Sequence, residues 1–80
     1  PFPLSVTPGT DLDLDVTSYA PGRELSVTLA GYAAGEVEFS ATGFGARPKV
    51  ELDGVEVAVS DGRFTVSLPD TAKHHLTIRR

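Results

Sequence analysis

Three carboxylates stand two residues apart in the stretch DLDLDV, at Asp11, Asp13 and Asp15, and oxygen donors this close raise the question of a calcium site. On an extended chain all three point the same way, with neighbours about 6.5–7 Å apart. Oxygens sharing one calcium ion each lie about 2.3–2.6 Å from it, and so within about 5 Å of one another. A curled calcium loop needs Gly at its sixth position and Glu at its twelfth, where this chain has Val16 and Gly22. The aspartates are therefore read as the wet face of a strand, the alternative being a calcium site of Asp11 or Asp13 with loop carbonyls. His74 and His75 resemble a metal pair, yet strand neighbours project to opposite faces and cannot chelate one ion together. His74 shares the parity of Leu76 and Ile78 and is expected at the edge of the core; His75, in step with Thr77 and Arg79, is expected in solvent.

Covalent and acid–base chemistry find no better footing. There is no cysteine and no G-x-S-x-G elbow, and Ser5, Ser26, Ser40 and Ser67 fall on the polar parity of their segments. Glu51 and Glu56 form a carboxylate pair of the kind a glycosidase uses, but they flank a hairpin tip on an open sheet with nothing to raise either pKa. No phosphate loop or dinucleotide fingerprint occurs. No catalytic residue, cofactor or metal ligand is assigned. What remains is binding. Phe2, Tyr19, Tyr32 and Phe44 lie outside the core alternation, in turns or at the chain end. Phe44, between two glycines, either plugs one end of the fold or projects outward. Tyr19, Tyr32 and Phe44 are the candidate ligand-binding residues, against the reading that they cap the ends, for instance as a tyrosine corner. The absence of Trp, Asn and Gln weighs against a dedicated sugar site.

The net charge of −4 disfavours nucleic acid, whose phosphates need clustered Lys and Arg. Residues 1–46 carry six acids against Arg23 alone, and residues 47–80 six bases against five acids. Apolar runs are far shorter than the roughly 20 residues that cross a bilayer, so no membrane contact is expected. Eighty residues make one domain, 1–80, which without disulfides must be held by its core.

The elements that position these residues are strands. In KVELDGVEVAVSDGRFTVSLP two Asp-Gly pairs sit between alternating apolar residues, the strongest local hairpin signal. Two-residue turns at Asp53-Gly54 and Asp61-Gly62 would place Leu52 opposite Val55, Glu51 opposite Glu56, Val57 opposite Val66 and Val59 opposite Phe64. Val50, Leu52, Val55, Val57, Val59, Phe64, Val66 and Leu68 would then share one core face, a three-strand meander. Leu4/Val6, Leu12/Leu14/Val16, Leu25/Val27/Leu29, Val37/Phe39/Ala41 and His74/Leu76/Ile78 alternate likewise. About eight short strands with Gly/Pro turns every 8–12 residues predict an all-β sandwich or barrel.

The stretch VELDGVEVAVSDGRFTVSLPDTAKHHLTIR resembles the end of many small β-sandwich domains of secreted bacterial carbohydrate-active enzymes. There a strand, DG, a strand, DGRF, a strand, LP and a last HxLxI strand follow in order. Here those are Asp53-Gly54, Asp61 to Phe64, Leu68-Pro69 and His75 to Ile78. The resemblance covers about 30 of the 80 residues. It implies an immunoglobulin-like or fibronectin III-like β-sandwich of seven to eight short antiparallel strands, extracellular and often C-terminal to a glycoside hydrolase. The expected function is a non-catalytic docking or spacer module, its partner the catalytic domain of the same polypeptide or another protein domain. The alternatives are a carbohydrate-binding module that contacts polysaccharide through loop aromatics, and an adhesion or structural repeat.

Overall fold

ELSVTL alternates polar and apolar side chains, and it opens the strand whose Leu25, Val27 and Leu29 are all buried. The same period-two logic yields eight strands in the computed structural model, which describes residues 2–80. They are β1 (Leu4–Val6), β2 (Leu12–Ala20), β3 (Glu24–Gly31), β4 (Gly35–Ala41), β5 (Lys49–Leu52), β6 (Val55–Val57), β7 (Arg63–Leu68) and β8 (His74–Arg79). Every pairing is antiparallel, in two open sheets: β1-β4-β7 and β2-β3-β8-β5-β6. The two face each other as a small β-sandwich. The interior holds Leu25, Val27 and Leu29 from β3 and Leu76 and Ile78 from β8. From the narrower sheet come Val37 and Phe39 of β4 and Phe64, Val66 and Leu68 of β7. Phe39 and Phe64 are direct ladder partners and stack with centroids 5.4 Å apart.

Both Asp-Gly turns form as the sequence predicts. Asp53 and Asp61 take φ of 50° and 52°, and Gly54 and Gly62 take 83° and 75°, the positive angles a type I′ turn requires. The first turn pairs Leu52 with Val55 and Glu51 with Glu56 as expected. Beyond the second the meander ends. Ser60 and Arg63 exchange two 2.9 Å hydrogen bonds, but the chain has already left the wide sheet, and β7 pairs with β4, putting Phe64 against Phe39 and Val66 against Val37. Val57 does not face Val66, nor Val59 Phe64. The reason is burial: a sixth strand on the wide sheet would lie beyond the narrow sheet's reach, whereas crossing over puts Phe64, Val66 and Leu68 into the centre of the core. Val55 shows the cost of the sheet's width. Predicted on the core face, it lies on the edge strand β6 and is 69% exposed.

The other edge departs from the prediction in two ways. β2 continues through Tyr19 to Ala20 instead of turning at Ser18, with a bulge between Val16 and Ser18. The extra residue resets the parity, so Val16, opposite Val27, and Tyr19, opposite Leu25, share the inward face. Both overhang the narrow sheet and are about half exposed, while Leu12 and Leu14 are half-buried. Pro21 and Gly22 (φ 74°) then make the tight return, closed by the Arg23 amide donating to the Ala20 carbonyl at 2.9 Å.

Candidate functional site

The strand directions sort the side chains between two ends of the sandwich. β2, β8 and β6 begin at the end where β3, β5 and β7 finish. At the opposite end lie Arg23, Arg47, Lys49, Arg63, Arg79 and Arg80, six of the chain's seven bases. Glu24 and Asp61 are the acids there. A charge imbalance spread along the sequence thus becomes a separation along the molecule, with a basic end on an acidic body.

At the basic end an open notch of about 500 Å³ is lined by Ser18, Tyr19, Ala20, Arg23, Glu24, Arg79 and Arg80. Its floor is fixed by backbone: the Arg80 amide donates to the Arg23 carbonyl at 2.9 Å, and an Arg80 guanidinium nitrogen reaches the Gly22 carbonyl at 3.4 Å. Glu24, Arg79 and Lys49 stand side by side on three adjacent strands. Arg79 Nε lies 3.8 Å from the Glu24 carboxylate, both groups half exposed, a pairing that solvent largely screens. Tyr19 is 44% exposed, its ring 6.5 Å from that of Phe2 in a tilted contact.

Tyr32 sits at the other end, 67% exposed, just past β3. Its hydroxyl donates to Asp13 Oδ1 at 2.8 Å, tying the turn to the neighbouring strand. That hydrogen bond holds the phenol above its ordinary pKa of 10.0, so the ring stays a neutral donor. Tyr19 and Tyr32 therefore occupy opposite ends of β2 and form no common platform. Phe44 joins neither. Only 2% exposed, it plugs the core, the first of the two placements its glycine neighbours allowed. Gly43 and Gly45 take φ of 88° and 87°, angles open to glycine, and these fold the loop so that the ring points inward. It offers no surface to a ligand. The candidate Asp11–Asp13–Asp15 row is split in use: Asp13 holds Tyr32, and among the described residues no three His, Asp or Glu side chains gather as a metal site would require.

A constellation the sequence reading missed surrounds His74. Its Nδ1 lies 2.6 Å from Asp53 Oδ2 and its Nε2 2.9 Å from Asp70 Oδ1. Asp53 also accepts the His75 amide at 2.9 Å through Oδ1, and Asp70 closes an Asx turn on the Ala72 amide at 3.0 Å. Ionised carboxylates only accept, so both contacts are hydrogen bonds only if both ring nitrogens carry protons. The hydrogen bonds to Asp53 and Asp70 raise the His74 pKa above its ordinary 6.5. Asp53 is held below 3.8 chiefly by the His75 amide, then by the His74 ring. Asp70 is lowered chiefly by the His74 ring, then by the Ala72 amide. A ring occupied on both sides has no free nitrogen for base catalysis. It staples the β5–β6 turn and the β7–β8 crossing to the start of β8. The signal was an Asp at the first turn position with a second four residues before the histidine, but only the fold brings all three together.

Alongside the staple runs a seam where β6 and β7 part into different sheets. Its apolar lining is Leu52, Val55, Val57, Ala58, Val66 and Pro69, with Thr65 and Ser67 along β7 and Glu56, Asp53 and His74 at its margin. The outer edges of β6 and β7 carry no ladder partner there. Compared with family models, with curated proteins and with solved structures, the chain finds no match in any of the three.

Proposed function

We propose that the chain is a non-catalytic, immunoglobulin-like accessory module of a larger extracellular bacterial protein of the glycoside hydrolase kind, docking on or spacing its catalytic domain. The seam between β6 and β7 carries this reading. It combines an apolar lining, a 69% exposed valine at Val55 and two strand edges with unused hydrogen-bonding groups. An extended segment of a neighbouring domain would satisfy such edges and cover the valines. The test compares amide hydrogen exchange in the chain alone and in the full gene product. Residues 55–59 and 64–67 are expected to exchange more slowly in the full product, and Val55→Asp is expected to abolish that difference without lowering the Tm of the chain alone. Equal exchange in the two forms, or a gene product with no further domain, refutes the reading.

A second reading, direct contact with carbohydrate, is favoured by Tyr32, whose ring is 67% exposed beside Asp13, a carboxylate able to accept from a sugar hydroxyl.

A further inference from the structure

We infer that the free edge of β2 takes up an extended basic segment of a partner protein, in which lysine or arginine alternates with apolar residues, as an added antiparallel strand. This edge lies opposite β6, and the inference holds whether or not β6 and β7 dock a neighbouring domain. β2 ends the wide sheet with β3 as its one neighbour. At nine residues it is longer than the other edge strands, β1 and β6 with three each and β7 with six. The ladder shows which of its backbone groups are unused. His75 turns its backbone toward β5: its carbonyl accepts the Asp53 amide at 2.8 Å and its amide donates to the Asp53 carboxylate at 2.9 Å. Bonded and non-bonded pairs alternate in an antiparallel ladder. Thr28, the partner of His75, therefore turns toward β2 and bonds the backbone of Asp15, as Ala30 bonds that of Asp13. Leu12, Leu14 and Val16 are left with N–H and C=O groups aimed outward, where no backbone partner meets them among the described residues. Such a row is a template for another strand.

Side chains decide what that strand is. Asp13 and Asp15 line the outer side of the edge, with Asp11 just before it, and all three are exposed. Tyr32 takes one oxygen of Asp13. Lys73, the one base not gathered at the opposite end, borders the same depression as Asp13 and Asp15 but forms an ion pair with neither among the described residues. Residues of an incoming strand opposite Asp13 and Asp15 fall in non-bonded pairs, whose Cα atoms approach to about 4.5 Å and whose side chains lie closer. A base there meets its carboxylate directly. Residues opposite Leu12, Leu14 and Val16 face inward instead, beside a row in which Val16 and Tyr19 are 48% and 44% exposed. Charge alone would blunt the edge; the half-exposed apolar row is what an added strand covers. A second copy is a poor occupant. Its β2 brings aspartates and its β6 brings Glu56 to this row, and like charges across a ladder destabilise it.

The experiment is an NMR titration of the chain with the capped peptide Thr-Val-Lys-Val-Lys-Val-Lys-Thr. Three relatives serve as controls: one with the lysines grouped together, one with glutamate for lysine, and one N-methylated at the valines. Amide shifts are expected at residues 11–17 with the alternating basic peptide, together with slowed hydrogen exchange at Leu12, Leu14 and Val16. The N-methylated valines have no N–H to donate to the edge and should abolish binding, whereas N-methylation of the lysines, whose N–H groups point away, should be tolerated. Asp13→Asn with Asp15→Asn should weaken binding about fivefold, as loss of two cross-strand charge pairs does. Glu36→Gln with Glu38→Gln, the same change of net charge on the narrow sheet, should leave it unchanged. If the grouped-lysine or valine-methylated peptide binds as tightly, the attraction is one of net charge and the added strand is overturned. If no peptide binds, the aspartates only blunt the edge and the inference fails. Shifts at residues 11–17 that grow with protein concentration alone would mark a second copy as the occupant and equally overturn it.

Discussion

Replacing His74 with Gln tests the staple at the acidic end, because the change keeps polarity and approximate size but removes the charge. Of the two contacts, the one to Asp53 is the shorter at 2.6 Å, and the His74 side chain is only 11% exposed. A hydrogen bond between charged groups stabilises by about 1.5–3 kcal/mol. Because the Asp53 carboxylate is half exposed, solvent screening reduces the value here to about 1 kcal/mol. For a domain of this size that corresponds to a fall in Tm of about 4–8 °C. The pH dependence fixes the cause. His74 has a raised pKa, so its contribution is complete below 6.5, its ordinary value, and is lost as pH climbs through the folded-state value. Asp53 and Asp70 have lowered pKa values, so their contributions are complete above 3.8 and are lost as pH drops through the folded-state values. The staple is whole between those limits. Thermal unfolding at pH 5.5 should therefore separate wild type from His74→Gln by the full amount, and the gap should narrow by pH 9. A gap of the same size at both pH values, or wild-type stability that rises from pH 6 to 9, would refute the charged staple.

Gly62 and Gly54 occupy equivalent turn positions with different surroundings. A methyl group at Gly62 would lie 2.7 Å from the Ala41 carbonyl oxygen, whereas at Gly54 it would meet nothing within 4 Å. Gly54→Ala is expected to cost about 1–2 kcal/mol for its left-handed backbone, and Gly62→Ala distinctly more by urea unfolding; equal costs would count against the close approach. Phe44→Ala should cost about 3–5 kcal/mol as a core truncation, read as a lowered urea midpoint. A loss of less than about 1 kcal/mol would contradict its place in the core.

The strands were readable because apolar side chains recur at every second residue wherever a strand is covered on one face, and the Asp-Gly turns because few residues tolerate two successive positive φ angles. Which strand pairs with which was not readable at Val57 and Phe64. Local alternation is satisfied equally by a continuing hairpin and by a crossing to the other sheet, and only the total area to be covered decides between them. The same holds for Tyr19, whose inward parity depends on one extra residue at Thr17. Of the candidate site residues, Tyr19 and Tyr32 are accessible and Phe44 is not, since two flanking glycines permit a ring to point either way. The arginine notch was hidden because its members come from a turn and a distant strand, Arg23 and Arg79–Arg80, that are neighbours only through the β3–β8 ladder.

That ladder also bears on how the molecule comes into being. β8 is the last of the eight strands in the chain, yet it lies between β3 and β5 at the centre of its sheet. Until it is made, the β2–β3 and β5–β6 hairpins have no common partner, and none of the strands of the narrow sheet is a sequence neighbour of another. At synthesis rates of about 5–20 residues per second, the growing chain spends seconds with its valines, leucines and phenylalanines uncovered. Folding must therefore wait for residues 74–79 to emerge, and a ribosome that stalls before them holds an aggregation-prone polypeptide in place of a partly built domain.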